Sequence, residues 1–224
     1  APLAAAALMP DPGEPVVDEA IPAAGRTATG KHEASSVQDL RRRLSCVLAG
    51  TTVSDAREVY TAIRLASPGG LGTVPEQDVA GEPSVTLREA MRLAEDRDAI
   101  AREYATGFAT TFEIGLPALA RARRDGLGWD DAVVETFLML LAEAPDTHIA
   151  RRAGLPAATA VSERARAVLE RGGVRSAEGR RALDEMDRAL RGDRHLANPG
   201  ASADLTAAAI FVLLLDGGWR PPAG

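Results

Sequence analysis

An all-α fold is what this chain predicts, and three observations carry that expectation. Apolar residues recur at three- and four-residue steps from Ser36 to Asp216. No stretch alternates apolar and polar residues as a half-buried strand does. Glycines and prolines stand at the ends of most periodic stretches, where they stop and start helices. No repeat at a fixed period appears either, so one helical domain spanning 36–224, of about eight helices, is expected behind a leading segment, 1–35.

The elements follow in order. The opening APLAAAALM is a short apolar stretch with no basic residue before it and no convincing cleavage site after it, so it is not read as a signal peptide. Pro10 to Ser35, with scattered prolines and glycines and no helical period, predicts a mobile insertion. A helix from Ser36 to Leu48 closes at Gly50. The next starts near Ser54, where Ala56, Val59, Tyr60 and Ile63 share a face. SPGGLGTVPEQDV then forbids a helix: Pro68, Gly69, Gly70 and Gly72 form a loop whose backbone can approach a ligand closely. Thr86, with Glu89 as its capping-box partner, opens a helical stretch expected to persist to about Arg124, kinked or divided at Pro117. Trp129 to Ala144 is strongly apolar on one side and is limited by Pro145. Helices from Pro156 to Glu170, Ser176 to Leu190 and Pro199 to Asp216 complete the set.

Composition removes several function classes. The 26 basic residues face 32 acidic ones, for a net charge of -6, so a general nucleic-acid-binding surface is not expected. Lys31 is the one lysine, which together with the alanine excess fits a GC-rich coding sequence. The longest apolar run, Ala207 to Leu215, is about half the ~20 residues a membrane span needs. Cys46 is the single cysteine and has no disulfide partner; it is expected to be a buried thiol in a cytoplasmic protein. Nothing in the pattern bears on oligomeric state.

Two polar cassettes stand out. DTHIARRAG places Asp146, His148, Arg151 and Arg152 within two helical turns just after an apolar helix. His148 lies at the three- and four-residue spacings that bring it beside both arginines. Arginine forks match phosphate oxygens, although an isolated run of this kind is ordinarily a salt-bridged helix end. NPGASADL sets a turn, Asn198, Pro199 and Gly200, before an apolar helix. Amides at a helix start attract anions, Ser202 adds a hydroxyl, and Asp204 could hold a cation carried by phosphates. An N-cap plus one acidic residue complementing the helix dipole explains the same string about equally well. The runs Asp96 to Asp98 and Glu76 to Asp78 are expected to be solvated faces. His32 and His195 lack partners at metal-ligand spacing. Tyr60, Phe108, Phe112 and Phe137 are expected in the core.

Taken in order, the segment between Ile63 and Asp78, the residues Asp146, Thr147, Arg152 and Gly154, and the string Pro199, Gly200, Ser202, Ala203, Asp204 and Leu205 resemble the triphosphoribosyl-dephospho-CoA synthase family. The likeness covers roughly Thr51 to Trp219. The segment TTVSDAREVYTAIRLASPGGLGTVPEQDV looks like a divergent branch of methylotrophic bacteria and archaea. The resemblance implies an all-helical fold and transfer of the triphosphoribosyl part of ATP to a ribose hydroxyl of dephospho-CoA, with adenine leaving and a prosthetic-group precursor formed. It implies arginines on the triphosphate, Mg²⁺, a carboxylate near the sugar carbon and a base for the hydroxyl. On it, Asp146, His148 and Asp204 are the expected catalytic residues, with Asp146 and Asp204 also the metal ligands. Arg151, Arg152, Asn198, Gly200, Ser202, Gly69 and Gly70 are expected to bind the nucleotide. The family's early lysine-proline-glycine turn and its asparagine-threonine-rich glycine motif are missing, and APLAAAAL looks like the helix that would follow the second. An N-terminally incomplete or shortened chain is therefore expected. A related transferase of one-carbon cofactor biosynthesis and an inactive nucleotide- or partner-binding paralogue are the alternatives.

Overall fold

The computed structural model describes residues 37–67, 71–191 and 197–217. The leading segment 1–35, Gly69, Gly70, His32 and His195 lie outside the described residues. Among those described there are ten α-helices and no strand. They are α1 (Val37–Ala49), α2 (Val53–Ala66), α3 (Leu87–Arg92), α4 (Ala99–Thr106), α5 (Leu116–Arg124), α6 (Trp129–Glu143), α7 (Thr147–Ala153), α8 (Leu155–Glu170), α9 (Ala177–Leu190) and α10 (Gly200–Leu215). A π-helical turn, Thr111–Gly115, leads into α5, and a 3₁₀ turn, Gly173–Arg175, links α8 to α9.

Helix α6 organises the core because it is apolar nearly all round and must be covered on every side. Its first half joins Leu40, Leu44 and Leu48 of α1 with Phe112, Leu116, Leu119 and Val212. Its second half, through Leu138 and Leu141, packs with Ile149, Val161, Val168 and Met186 of α7, α8 and α9. Helix α10 lies against α5, α6 and α7, so its N-terminus is carried to the start of α7. No described helix is long and apolar enough to cross a membrane.

Local signals explain most boundaries. Thr52 and Asp55 form a reciprocal capping box that starts α2 slightly ahead of the expected position, and Thr86 and Glu89 form the second box at α3. The stretch expected to persist to about Arg124 with one division at Pro117 is instead three helices, with breaks at Asp98 and Gly107 as well. Asp98 caps α4 by accepting the amides of Ile100 and Ala101 at 2.9 and 3.1 Å, which ends what precedes it. Gly107 and Phe108, both with positive φ, then break the chain again. The buried carboxylate of Glu103 restarts it by accepting the amides of Thr110 and Thr111 and the Thr111 hydroxyl. The helical run is divided next to Pro117, as expected: the π turn ends at Gly115 and α5 begins at Leu116. Pro117 stands in the first turn of α5, just after the π turn, where its missing N–H is tolerated.

The expected core aromatics Tyr60, Phe108 and Phe112 are buried, and Phe137 is partly so. Cys46 departs from expectation and is exposed. On α1 the core face is set by Leu40, Leu44 and Leu48, and position 46 points to the other side.

Candidate functional site

Three helix starts converge near one cavity. Asp146 is the N-cap of α7 and is 2% exposed. One carboxylate oxygen accepts the amides of His148 and Ile149 at 2.9 and 3.1 Å. The other accepts the amide and hydroxyl of Ser202 at 2.7 and 2.8 Å. A single side chain thus caps α7 and fastens it to the first turn of α10. The α4 end is tied in beside it: the Ala99 amide donates to Thr147 Oγ1 at 3.1 Å, and Arg151 pairs with Asp98.

The turn into α10 is an inverse γ-turn. Pro199 has φ -79° and ψ 71°, and the Gly200 amide donates to the Asn198 carbonyl at 2.9 Å. Gly200 is required here by close approach, because a Cβ at this position would stand 2.0 Å from His148 Nδ1. The Nδ1 edge of the imidazole therefore abuts bare backbone, and a side chain at position 200 would displace the ring.

The cavity, about 360 Å³, has two kinds of wall. Tyr60 and Ile63 of α2, Leu71 and Val74 of the following loop, and Met91 and Leu93 make an apolar side. Arg97, Asp98, His148, Arg151 and Asp204 make a charged side, with Ala201 beside them. The loop is held against α2: Tyr60 donates its hydroxyl to the Gln77 carbonyl at 2.7 Å, and Arg64 donates to the carbonyls of Val79 and Gly81. Asp78 accepts the amides of Ala80 and Val74, and these bonds hold its carboxyl below the usual range.

Asp204 differs from its neighbours. It opens to solvent at the cavity rim, and among the described residues it has no hydrogen-bond or ion-pair partner. Partial desolvation pushes its carboxyl above the ordinary carboxylate range; His148 pulls the other way, while Asp146 and Asp98 add to the rise. A free carboxylate in a cavity with a shifted ionisation is a recurring mark of a reactive group.

The structure thus brings His148, Arg151 and Asp204 together, and it corrects several other expectations. Asp146 lies beneath the site with both oxygens taken up by chain donors, which leaves neither free to meet a metal as expected. Ser202 is buried and directs its hydroxyl and amide to Asp146, leaving neither for an anion. Arg152 and Asn198 are exposed and outside the cavity wall. Adjacent helical positions point about 100° apart, so α7 can turn only one of its two arginines inward. Gly72 lines the cavity. Among the described residues no group of three or more His, Cys, Asp or Glu is placed to hold a metal.

Arg97, Asp98, Glu76, Gln77 and Asp78 line the cavity although their charged runs look like solvated faces in the sequence. For Asp98 a signal existed: an aspartate directly before an apolar helical run is an N-cap pattern.

These features define a helical protein with a cavity of one apolar and one charged wall. Comparison with known proteins is more specific. A family model described as ATP:dephospho-CoA triphosphoribosyl transferase matches residues 1–222, and the chain belongs to that family. It is 42% identical over 125 residues to a protein of Stutzerimonas stutzeri named as a probable 2-(5''-triphosphoribosyl)-3'-dephosphocoenzyme-A synthase, an alignment covering 55% of this chain and 42% of that one. A protein of the same name from Pseudomonas paraeruginosa is 42% identical over 123 residues, covering 53% and 41%. The chain thus spans about two fifths of the length of these curated relatives. A crystal structure from Archaeoglobus fulgidus, of a protein named as a candidate triphosphoribosyl-dephospho-CoA synthase, superposes with a TM-score of 0.66 at 30% identity, covering 84% of this chain and 77% of that one.

Proposed function

We propose that the chain contributes this cavity to transfer of the triphosphoribosyl group of ATP onto a ribose hydroxyl of 3'-dephospho-CoA. The bond between the sugar carbon and the adenine nitrogen breaks, and its electron pair leaves with adenine, which takes up a proton. The acceptor hydroxyl forms the new bond to the sugar carbon and gives up its proton. Family membership supports the reaction class. The single observation that carries the residue assignment is the unpartnered Asp204 on the cavity wall beside His148.

In this reading the Asp204 carboxylate faces the positive charge that develops at the sugar carbon, where a fixed anion in a partly dry site is most effective. His148, held by Gly200, takes the proton of the attacking hydroxyl. The apolar wall around Tyr60, Ile63 and Met91 suits a purine face. Asp146 and Ser202 keep α7 and α10 in register so that His148 and Asp204 stay adjacent. Mg²⁺ fits as an ion borne by the triphosphate, since it keeps several waters and commonly takes one or two carboxylates. Asp204 is a carboxylate on this wall that could hold it, and the ion would supply neutralisation of phosphate charge.

The test is to incubate the protein with ATP, Mg²⁺ and dephospho-CoA and measure free adenine. Adenine release that requires dephospho-CoA, matched by a triphosphoribosylated product, is expected. Binding of ATP without any adenine release would favour the inactive nucleotide-binding paralogue instead.

A further inference from the structure

The cavity wall holds four carboxylates, Glu76, Asp78, Asp98 and Asp204, against two arginines, Arg97 and Arg151. A nucleoside triphosphate entering it needs a cationic side chain whose charge is not already matched. The charge of Arg151 is matched, although its buried Nε has no partner among the described residues. The side chain is paired with Asp98, whose other oxygen is fixed on the first turn of α4, so Arg151 is held as a strut between α4 and α7. Pulling it away would strand Asp98 beside a helix start and part the two elements. Arg152 stands outside the wall.

Arg97 is in the opposite condition. One guanidinium nitrogen donates to the Leu93 carbonyl at 2.9 Å, which folds the side chain back along its own turn and fixes its stem. Among the described residues it forms no ion pair, and the rest of its five-donor fork is unused. It is exposed on the rim, and its charge reaches Tyr60 and Asp78 on the α2 side of the cavity. A forked donor with fixed stem and open head is the arrangement that phosphate oxygens accept.

We infer that Arg97 is the polyphosphate-binding residue of this cavity, and that Arg151 is a positioning residue. The inference rests on the transferase reading for the identity of the triphosphate, but its test does not require turnover.

Calorimetric titration of the full chain with inorganic tripolyphosphate, without Mg²⁺, and separately with adenosine, divides the possibilities. Wild type should bind both. Arg97→Ala should weaken tripolyphosphate by about tenfold or more, the scale of one lost charge-assisted contact, and leave adenosine within about twofold. Arg97→Lys should fall between, and both variants should melt as wild type does, since no described tertiary contact is lost. Unchanged tripolyphosphate affinity in a folded Arg97→Ala protein would overturn the inference. So would absence of tripolyphosphate binding to wild type, or a parallel loss of adenosine binding. If tripolyphosphate binding depends on Arg97 while no adenine is ever released, the inference stands and the transferase reading falls.

Discussion

Asp146 and Glu135 are two buried carboxylates that do the same mechanical work in different parts of the molecule. Glu135, on α6, accepts the Val174 amide at 3.2 Å and pairs with Arg175 at 3.1 Å, clamping the α8–α9 link to the middle of the core. Asp146 accepts four donors and clamps α10 to α7. Gly173 closes tightly over Glu135, which is not a cavity residue. Asp146, by contrast, sits under a cavity that also presents Asp204, a carboxylate with no hydrogen-bond or ion-pair partner among the described residues. A saturated carboxylate serves as a joint, whereas one left open beside a joint is free to meet a ligand.

Four substitutions test whether the two carboxylates differ in this way. The largest loss of stability is expected for Asp146→Ala. It removes a cap and leaves the Ser202 hydroxyl and three amides without their buried acceptor, so a loss of about 3–5 kcal/mol should appear in urea unfolding. Gly173→Ala comes next. A Cβ there would lie 2.5 Å from Glu135 Oε2, on a backbone with φ +54°, so about 1–3 kcal/mol should be lost, while ligand affinity of the folded fraction stays as in wild type. Gly200→Ala should cost about 1 kcal/mol or more through its contact with the His148 ring, but it should lower turnover at saturating substrate as well, because the imidazole must move. That pairing of effects separates the joint beneath the cavity from the joint at Glu135. Arg152→Ala should be the mildest, within about 0.5 kcal/mol in thermal melts and without effect on adenine release. A large loss of activity there would return Arg152 to the site.

Much of the scaffold was legible from the chain alone. The capping box at Thr86 and Glu89, the stop after Ala49 and the apolar faces of α6 and α10 are local properties, and local rules reach them. The breaks at Asp98 and at Gly107 were hidden by an apolar period that continues in phase across both. Within the site, Asp146 and Asp204 look alike in sequence: each is an aspartate near a helix start beside small or polar residues. Only the packing of α10 on α7, which joins residues 56 apart, saturates one and leaves the other open. The charged run at Asp96 to Asp98 failed for the same reason. The partner that makes Asp98 part of a wall, Arg151, lies 53 residues away.

Asp204 also gives the site a pH signature. Its carboxyl is raised in the folded chain, so the proton is bound more tightly than in the unfolded chain. Its ionised form therefore opposes folding, and stability attributable to it falls as pH rises from the ordinary carboxylate range through the raised value. Turnover that needs the carboxylate should be lost as pH falls through that same raised value.

The most direct measurement is adenine release by Asp204→Asn, followed over pH beside a thermal melt. Turnover should fall by about 100-fold or more, the acidic limb set by Asp204 should disappear, and the melting temperature should equal or slightly exceed that of wild type at neutral pH. Normal turnover in that variant, or a melting temperature that drops as far as that of Asp146→Ala, would contradict the role given to Asp204 and make it one more element of the joint.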